Sequence, residues 1–356
     1  MQIGLDAISP EDEQHVRDLG VTWTKATVQI GDPASVASLL AHLVYCRSLG
    51  IRAVTDLRVS EAHGRLVELQ RKGHPEQEQE AQDIIASMAA GAADIARQAG
   101  NLCTEWEFFG EYDCPLVGGL WPNKSTVYSA YLAAVHDAIK ATQPGARIWN
   151  GGWGVQFQDH HFPPLVEECP DKFDVLNWHQ YNIMSYWPPY TEGPLAGRPR
   201  FDAPLAECAA WSADLFRQVF AKNRAMLTAH GLTQPFASSE WGMTTVARAA
   251  LEGHRRALDL DSETLIPTDN PAYPLDGQGL GLADDDAAVY MDAWLQAFED
   301  GGLEVCVIHR LRDSSVADRQ HNDSTFWGHF VGLQFSDGTN KAVYDVVKQW
   351  AQKGGK

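Results

Sequence analysis

The stretch "TWTKATVQIGDPASVASLLAHLVYCRSLGIRAVTDLRV" (22–59) contains one complete unit of strand, helix and strand. Residues 22–28 and 51–59 are short and rich in β-branched and apolar residues, which is typical of strands. The segment between them begins with Pro33, ends with Gly50 and repeats apolar residues every three to four positions, as an amphipathic helix does. This order predicts two parallel strands joined by a helical crossover.

The same unit recurs about eight times along the chain. The other predicted strands are "QIGLDAI" (2–8), "LCTEWEFFG" (102–110), "RIWNGGW" (147–153), "DVLNWHQYN" (174–182), "QPFASSEWG" (234–242) and "EVCVIHRL" (304–311). The other predicted helices are 80–100, 125–145, 209–231, 284–302 and 341–352. Eight units without a Ser/Gly/Pro-rich linker predict an α/β protein, a single (β/α)8 TIM barrel over residues 1–356. An open doubly wound sheet is less favoured, because the first turn lacks a GxGxxG fingerprint.

Charge and composition narrow the class of ligand. The formal net charge is -19, from 47 acidic and 28 basic residues, which disfavours nucleic acid and anionic membranes. No stretch reaches the roughly 20 apolar residues that span a bilayer, so no membrane partner is expected. The chain as given lacks an export signal, which predicts a cytoplasmic protein or a secreted one whose signal was removed. A carbohydrate fits this composition, and the oligomeric state stays open.

Metal sites and disulfides are not predicted, and no cofactor is expected. The six cysteines are scattered without a CxxC pair, which favours reduced, buried thiols; a Cys103–Cys114 disulfide is the alternative. The histidines of "DHHF" (159–162) lack matching carboxylates, and "LADDDAA" (282–288) lacks EF-hand spacing. We interpret the first as a surface loop and the second as a helix start.

In such barrels the functional residues lie where the strands end, and in the loops that follow. Four loops on that side are long: 59–79, 112–124, 182–208 and 243–283. We expect them to form a cleft. Glu111 follows the fourth strand and Glu240 ends the seventh, so both carboxylates are expected at the barrel mouth. Paired acids in this arrangement are used for hydrolysis of glycosidic bonds.

Around these residues the chain resembles the clan A retaining glycoside hydrolases, most closely family 39 and related bacterial polysaccharide hydrolases. "WEFFGE" (106–111) is similar to their W-E-x-x-N-E motif, which implies that Glu111 is the acid/base. "SSEWG" is similar to their seventh strand and implies that Glu240 is the nucleophile. "WHQYN" matches their His-x-Tyr, which implies that His179 and Tyr181 shape the site. The ending from "HRLRDSS" to "KAVYDVVKQW" resembles their eighth strand and last helix.

The chain departs from this family at Gly110, where the motif has an asparagine that bonds the sugar 2-hydroxyl. Asn150, Gln180, Asn182 and His309 are candidates to replace that contact. The departure also supports a second hypothesis, a catalytically weak or inactive carbohydrate-binding barrel. A lyase or metal-dependent hydrolase is a third, less favoured reading, since it needs a His/Asp ligand cluster or a strand-end lysine base.

Strand geometry separates Glu107 from Glu111. Residues of equal parity share one face, so both point into the barrel if the strand stays extended. Glu107 is then about 13 Å deeper, at ~3.3 Å per residue, and is expected to pair with Lys25 or Arg52. We predict that Glu107 is structural and Glu111 catalytic, with Glu111 held protonated and Glu240 ionised.

Aromatic and polar residues near strand ends are the candidates for binding the sugar. Rings stack against the apolar faces of sugars, although tryptophan is as often buried for packing. Arg58 suits an acidic sugar, or else a buried Arg–Asp pair. The predicted substrate-binding residues are His179, Tyr181, Asn150, Trp153, Trp187, Trp241, Trp121, Arg58 and His309.

Overall fold

The computed structural model describes residues 1–59, 62, 64–66, 69, 78–111, 125–152, 162–181, 204–243, 245–246, 282–315 and 331–354. Within these ranges, eight parallel strands form the main sheet, one for each predicted strand. They are β1 (Gln2–Leu5), β2 (Trp23–Gln29), β3 (Arg52–Arg58), β4 (Glu105–Phe108), β5 (Arg147–Asn150), β6 (Leu176–Tyr181), β7 (Phe236–Gly242) and β8 (Leu303–Ile308).

The sheet is a nearly closed barrel. Its strand order is β5-β4-β3-β2-β1-β8-β7-β6, and the two ends of this order meet at a parallel bridge between Trp149 and Val175. Backbone hydrogen bonds from Asp174 and Val175 to the carbonyl of Ile148, at 2.7 and 3.2 Å, support the closure. The prediction of a (β/α)8 barrel is therefore confirmed.

Helices separate the strands, as a parallel sheet requires. They are α1 (Glu13–Leu19), α2 (Pro33–Ser48), α3 (Glu78–Ala99), α4 (Ser125–Thr142), α5 (Phe162–Glu168), α6 (Leu205–Ala229), α7 (Asp284–Asp300) and α8 (Ala342–Gly354). The six predicted helices are found within a few residues of their expected bounds. The helices α1 and α5 were missed, because seven residues are too few to establish a helical period.

Two apolar layers hold the barrel. The interior is filled toward the amino ends of the strands by Trp23, Val54, Trp149, Val175, Ala237, Val305 and Val307. The rings of Trp23 and Trp149 belong to this layer, with their centroids 5.9 Å apart. The larger layer lies between the strands and the surrounding helices. These apolar groups fill much of the interior, and in such barrels the functional residues lie at the carboxyl ends of the strands.

Several smaller predictions are settled by the same residues. Cys46, Cys103, Cys169 and Cys306 are buried free thiols, as predicted, and Cys114 lies outside the described residues. The acids from Asp284 to Asp286 form the first turn of α7, as expected of a helix start. In the part of the chain described, no helix has both the length and the apolarity to cross a membrane. The four long loops lie mostly outside the described residues, as does most of "DHHF".

Candidate active site

Two glutamates meet at the carboxyl ends of the strands. Glu111 follows β4, and Glu240 lies near the end of β7. A carboxylate oxygen of Glu111 lies within 4.8 Å of one of Glu240. Their side chains are 18% and 16% exposed, so each is largely enclosed but still reached by solvent. The two acids thus face each other in one site.

The backbone turns sharply to bring Glu111 into this position. Strand β4 ends at Phe108, and both Phe109 and Glu111 have left-handed φ values, 57° and 56°. The backbone N–H of Glu111 then donates to the carbonyl of Gly152, at 2.5 Å. The extended geometry assumed for residues 109–111 was therefore wrong, and this turn rather than strand parity directs the carboxylate inward.

The imidazole of His179 lies between the acids. Its Nδ1 is 2.8 Å from Oε1 of Glu111 and 3.7 Å from Oε2 of Glu240. On the other edge of the ring, Nε2 is 3.1 Å from the hydroxyl of Ser239 and 3.4 Å from Oε1 of Glu107. The ring packs over Gly152, where a Cβ would come within 2.1 Å of it. The side chain is fully buried, so His179 positions the two acids from below.

Glu107 lies directly beneath this imidazole. Because Glu107 and Glu111 contact opposite nitrogens of one ring, the predicted separation of about 13 Å is wrong. Glu107 is fully buried, accepts a hydrogen bond from the N–H of Gly152 at 2.8 Å, and pairs with Lys25 at 3.6 Å. Its predicted structural environment, including the Lys25 partner, is thus present. The other candidate partner, Arg52, pairs with Glu105 at 2.7 Å.

Lys25 is the cation at the centre of the cluster. It projects from β2 and is 2% exposed. Its Nζ is 3.3 Å from Oε2 of Glu240, and 3.6 Å from both Oδ2 of Asp56 and Oε2 of Glu107. It also lies 3.2 Å from Nε2 of His179. Burial opposes the charge of Lys25, but the three carboxylates outweigh burial and raise its pKa.

Glu107 and its two neighbours Lys25 and His179 favour one another's charged forms, although the two cations oppose each other. Burial and the charge of Lys25 disfavour protonation of His179, yet Glu240, Glu107 and Glu111 raise its pKa to about 10. Burial alone would raise the pKa of Glu107, but Lys25, His179 and the N–H of Gly152 lower it to about 2. The surrounding carboxylates therefore favour the protonated forms of His179 and Lys25, beneath the two facing glutamates.

The neighbourhood of Gly110 explains why no side chain stands there. A Cβ at this position would lie 2.8 Å from Oδ2 of Asp56, 2.9 Å from Oε1 of Glu107 and 3.1 Å from Nη2 of Arg58. The N–H of Gly110 donates to Asp56 at 3.0 Å, and its carbonyl accepts from Arg58 at 2.7 Å. The space that an asparagine would need is thus filled by an ion pair.

That ion pair joins Arg58 to Asp56, with Nε 2.5 Å from Oδ2. It corresponds to the buried Arg–Asp alternative of the sequence analysis. Burial raises the pKa of Asp56 against the opposing effect of Arg58. The guanidinium remains 18% exposed at the rim, so its outer face is still available to a ligand.

A second pair, His309 with Asp6, borders Glu240 from the side of β8 and β1. Nδ1 of His309 lies 2.6 Å from Oδ2 of Asp6. Burial disfavours the charge on His309, but Glu240 and Asp6 raise its pKa. Its side chain is 24% exposed, which places it at the rim as predicted for a substrate-binding residue.

Two predicted substrate-binding residues need correction. Trp241 is fully buried and packs against Trp294 and Phe298 of α7, because adjacent residues of a strand point to opposite faces. Asn150 is also fully buried, and its side chain exchanges hydrogen bonds with the backbone of Asn177. Trp241 therefore belongs to the core, and Asn150 joins β5 to β6. Trp121, Trp153, Trp187 and Asn182, and the side chains of Gln180 and Tyr181, lie outside the described residues.

The donor set does not favour a bound cation. Among the described residues, Asp6, Glu240 and His309, and likewise Glu111, His179 and Glu240, bring possible ligand atoms within 4.8 Å. Both groups share Glu240, which already faces the ammonium of Lys25. The carboxylates around both histidines raise their pKa values, so a proton competes with a metal ion for the same nitrogen atoms.

Sequence reasoning missed several members of the cluster. Asp56 and Asp6 were not singled out. Asp56 lies two residues before Arg58 on β3, so strand parity places both side chains on the same, inward face. Ser239 was also missed; its N–H and hydroxyl bond the side chain of Asn177, and its hydroxyl contacts His179. The signal available for these residues was the run of polar side chains on strands that are otherwise buried.

Comparisons with known proteins bear on the fold. No protein-family model matches the chain, and no curated protein matches its sequence. A family 39 glycoside hydrolase from Bacteroides cellulosilyticus WH2 has a similar structure, with a TM-score of 0.61 and 14% identity over 98% of this chain and 63% of that one. An exo-β-1,4-mannosidase from Opitutaceae bacterium strain TAV5 gives 0.58 and 15%, over 99% and 59%. Fungal β-1,4-galactanases give 0.56 and 11%, over 97% and 93%.

These similarities are structural rather than close in sequence. The chain spans less than two thirds of the length of the family 39 hydrolase and of the mannosidase. At 11–15% identity they show a shared fold, and function must be argued from the site. The chain therefore has a barrel fold that is also used by glycoside hydrolases.

Proposed function

We propose that this protein is a retaining glycoside hydrolase that cleaves an O-glycosidic bond of an oligo- or polysaccharide. The observation that carries the proposal is the approach of Glu111 and Glu240, whose carboxylate oxygens lie within 4.8 Å. Retaining enzymes hold their two carboxyl groups about 5–5.5 Å apart, whereas inverting enzymes leave about 6.5–9.5 Å for a water. The approach of Glu111 and Glu240 supports the retaining class.

In the first step, Glu240 attacks the anomeric carbon while Glu111 gives a proton to the departing oxygen. The bond from carbon to the leaving oxygen breaks, and a glycosyl ester of Glu240 forms. In the second step, Glu111 takes a proton from water, the water oxygen bonds to the anomeric carbon, and Glu240 leaves as a carboxylate. Two inversions give net retention.

The contacts of the two glutamates support these different roles. Oε2 of Glu240 faces the ammonium of Lys25 at 3.3 Å, which stabilises a carboxylate. Oε1 of Glu111 accepts from His179 at 2.8 Å, and its other oxygen then carries the transferred proton in the proposed mechanism. The partial exposure of both side chains allows a sugar to reach them.

The first test is hydrolysis by variants of the two glutamates. The initial substrates are 4-nitrophenyl β-glycosides of glucose, galactose, mannose and xylose, with β-1,4-mannan and β-1,4-galactan chosen from the named activities of structurally similar proteins. We expect Glu240→Gln to lose at least about 10³-fold in kcat/KM, while Glu304→Gln, a half-exposed acid of β8, keeps the wild-type rate. Full activity of Glu240→Gln would contradict the assignment.

Two further measurements separate retention from inversion and identify the acid/base. Proton NMR of the first product should show the anomeric configuration of the substrate, and the opposite anomer would exclude double displacement. For Glu111→Ala, azide should restore turnover of substrates with good leaving groups and yield a glycosyl azide of unchanged configuration. Absence of that product, with turnover of the wild type, would remove Glu111 from the acid/base role.

A second candidate is a carbohydrate-binding barrel without useful turnover. The observation that favours it is Gly110, where Asp56, Glu107 and Arg58 fill the space of a side chain that would contact the sugar. This hypothesis predicts that calorimetry detects glycan binding by the wild type without hydrolysis. It also predicts that Glu111→Ala and Glu240→Gln leave that affinity nearly unchanged.

A further inference from the structure

We propose that Lys25 is a positioning residue that makes the two facing glutamates chemically unequal, by pairing directly with Glu240 from beneath the site. This inference rests on the proposed function, in which Glu240 must be ionised while Glu111 carries a proton. Lys25 lies too deep to touch a sugar, since it is 2% exposed. Its effect is therefore transmitted through Glu240.

Lys25 lies among three carboxylates at unequal distances. Three carboxylate oxygens surround Nζ: Oε2 of Glu240 at 3.3 Å, and Oδ2 of Asp56 and Oε2 of Glu107 at 3.6 Å. Nζ also lies 3.2 Å from Nε2 of His179. The carboxylates offset the repulsion between Lys25 and a protonated His179. Of these three carboxylates, Glu240 is the one within hydrogen-bond distance of Nζ, and Asp56 and Glu107 act on the ammonium as nearby charges.

The pairing is one-sided. Among the contacts described, Lys25 reaches Glu240, whereas Glu111 is held by Nδ1 of His179 at 2.8 Å and by its own N–H to Gly152. The same imidazole nitrogen lies farther from Glu240, at 3.7 Å. Lys25 therefore acts mainly on Glu240, whereas His179 acts more strongly on Glu111. The ammonium is the group that favours Glu240.

Other charges also face Glu240, and the effect of Lys25 has to be measured against them. They come from every strand packed around it and are His179 of β6, His309 after β8, Asp6 after β1, Glu111 after β4 and Arg58 of β3. The acidic neighbours Asp6 and Glu111 disfavour ionisation of Glu240, and the cationic ones favour it. Lys25 is buried away from the screening of water and lies closer to Glu240 than His179 does, at 3.3 Å against 3.7 Å.

The pairing has consequences for both steps of the proposed reaction. Before the first step, the ammonium keeps an electron pair available on Glu240 for attack at the anomeric carbon. In the second step, the bond from that carbon to Glu240 breaks and its electrons return to the carboxylate, whose developing charge Lys25 stabilises. No proton transfer to or from Lys25 is required.

The test follows the ionisation of Glu240 without any substrate. Protein labelled with ¹³C at the glutamate carboxyl carbons is titrated by NMR, and the Glu240 signal is identified by its loss in Glu240→Gln. We expect the midpoint of the Glu240 titration to move up by about one to two pH units in Lys25→Met. Lys25→Arg, which keeps the positive charge, should leave it close to that of the wild type. An unchanged titration in Lys25→Met would overturn the inference.

A charge-balanced pair of variants covers the case in which Lys25→Met does not fold. Glu107→Gln and the double variant Lys25→Met/Glu107→Gln differ only in the ammonium, and the double variant avoids an unpaired Glu107. The Glu240 signal should titrate at a higher pH in the double variant, and equal titrations would again reject the inference.

The result is independent of the proposed hydrolase activity. If Lys25 shifts Glu240 but no glycoside is hydrolysed, the ion pair stands and the proposed function fails. If hydrolysis occurs and Lys25→Met leaves both the titration and the acidic limb of kcat/KM unchanged, the function stands and the role of Lys25 fails.

Discussion

Two glutamates of β4, only two residues apart, show how differently the two ends of the barrel interior treat a buried charge. Glu105 lies near the amino end and is 2% exposed, while Glu107 lies below the candidate active site and is fully enclosed. Arg52 and Arg147 approach Glu105 at 2.7 and 3.6 Å. Those arginines remain 53% and 29% exposed, so they reach inward from the surface and stay partly hydrated.

Glu107 has a different kind of partner. Lys25 is itself buried, so both members of the pair have lost water. Burial raises the pKa of Glu105 more than Arg147, Trp149 and Arg52 lower it, whereas Lys25 and His179 bring that of Glu107 down to about 2. The comparison teaches that partly hydrated arginines at the lower end leave the pKa of Glu105 raised, while buried cations at the upper end hold Glu107 as a carboxylate. Such an arrangement costs desolvation energy, which is a reason to attribute function to the upper end.

The largest expected effect comes from removing the cation at each end. Lys25→Met leaves Glu107, Asp56 and Glu240 without their ammonium, and we expect a loss of about 3–5 kcal/mol in the free energy of unfolding. Arg52→Met removes a half-exposed partner and should cost about 1 kcal/mol or less. Urea unfolding at pH 7, followed by tryptophan fluorescence, measures both. Equal losses would show that the two ends do not differ in this way.

The two glutamates should also give opposite dependences of stability on pH. The folded-state pKa of Glu107 is lowered from 4.5 to about 2, so its contribution is present above about 4.5 and is lost as the pH falls toward 2. This difference corresponds to about 3 kcal/mol. Glu105 has a raised folded-state pKa, so its contribution is present below its unfolded value and is lost as the pH rises through the folded one.

Substitution by glutamine separates these contributions. Glu107→Gln should remove most of the loss of stability between pH 5 and pH 2, while Glu105→Gln should retain it and be comparatively more stable at neutral pH. Urea unfolding at half-unit pH intervals provides the curves, with the wild type as reference. A Glu107→Gln curve as steep as that of the wild type would contradict the assignment of the acid dependence to the upper end.

The same comparison shows what the sequence was able to predict. Alternation of strands and helices predicted the barrel, because the period of apolar residues is set by burial on both faces of every strand. The need of a buried carboxylate for a cation predicted Lys25 or Arg52 as the partner of Glu107, and Lys25 is the one that pairs with it. The regular, lower part of the molecule was thus accessible to local rules.

Where the strands end, the local rules no longer apply. Neither Phe109 nor Glu111 is a residue type that favours positive φ, so the turn that carries Glu111 to His179 had no local signal. A register shift between β6 and β7 near Asn177 and His179 likewise depends on tertiary packing. Trp241 was misplaced for a simpler reason, because a position near the end of a strand was taken to place the side chain in the site. Successive side chains of a strand point to opposite faces, so Trp241 faces away from the site that Glu240 faces.

The smallest expected effect tests how tightly the upper end is packed. At Gly110 an added Cβ would meet Asp56 and Glu107 at 2.8 and 2.9 Å, whereas at Gly145, in the turn before β5, nothing lies within 4 Å. Gly110→Ala should therefore cost about 1–3 kcal/mol, because the buried carboxylates must move away from Lys25 and Arg58 to admit the methyl group.

Gly145→Ala is the matched control, and it should be neutral or stabilising by up to about 1 kcal/mol, because alanine restricts the unfolded chain. Thermal unfolding of both variants at pH 7 is sufficient to compare them. If Gly110→Ala were as stable as Gly145→Ala, the ion pairs beneath Glu111 would have to be loose enough to rearrange. A loose cluster would not hold Glu111 and Glu240 at a fixed separation, so this small effect bears on the geometry on which the proposed retaining mechanism depends.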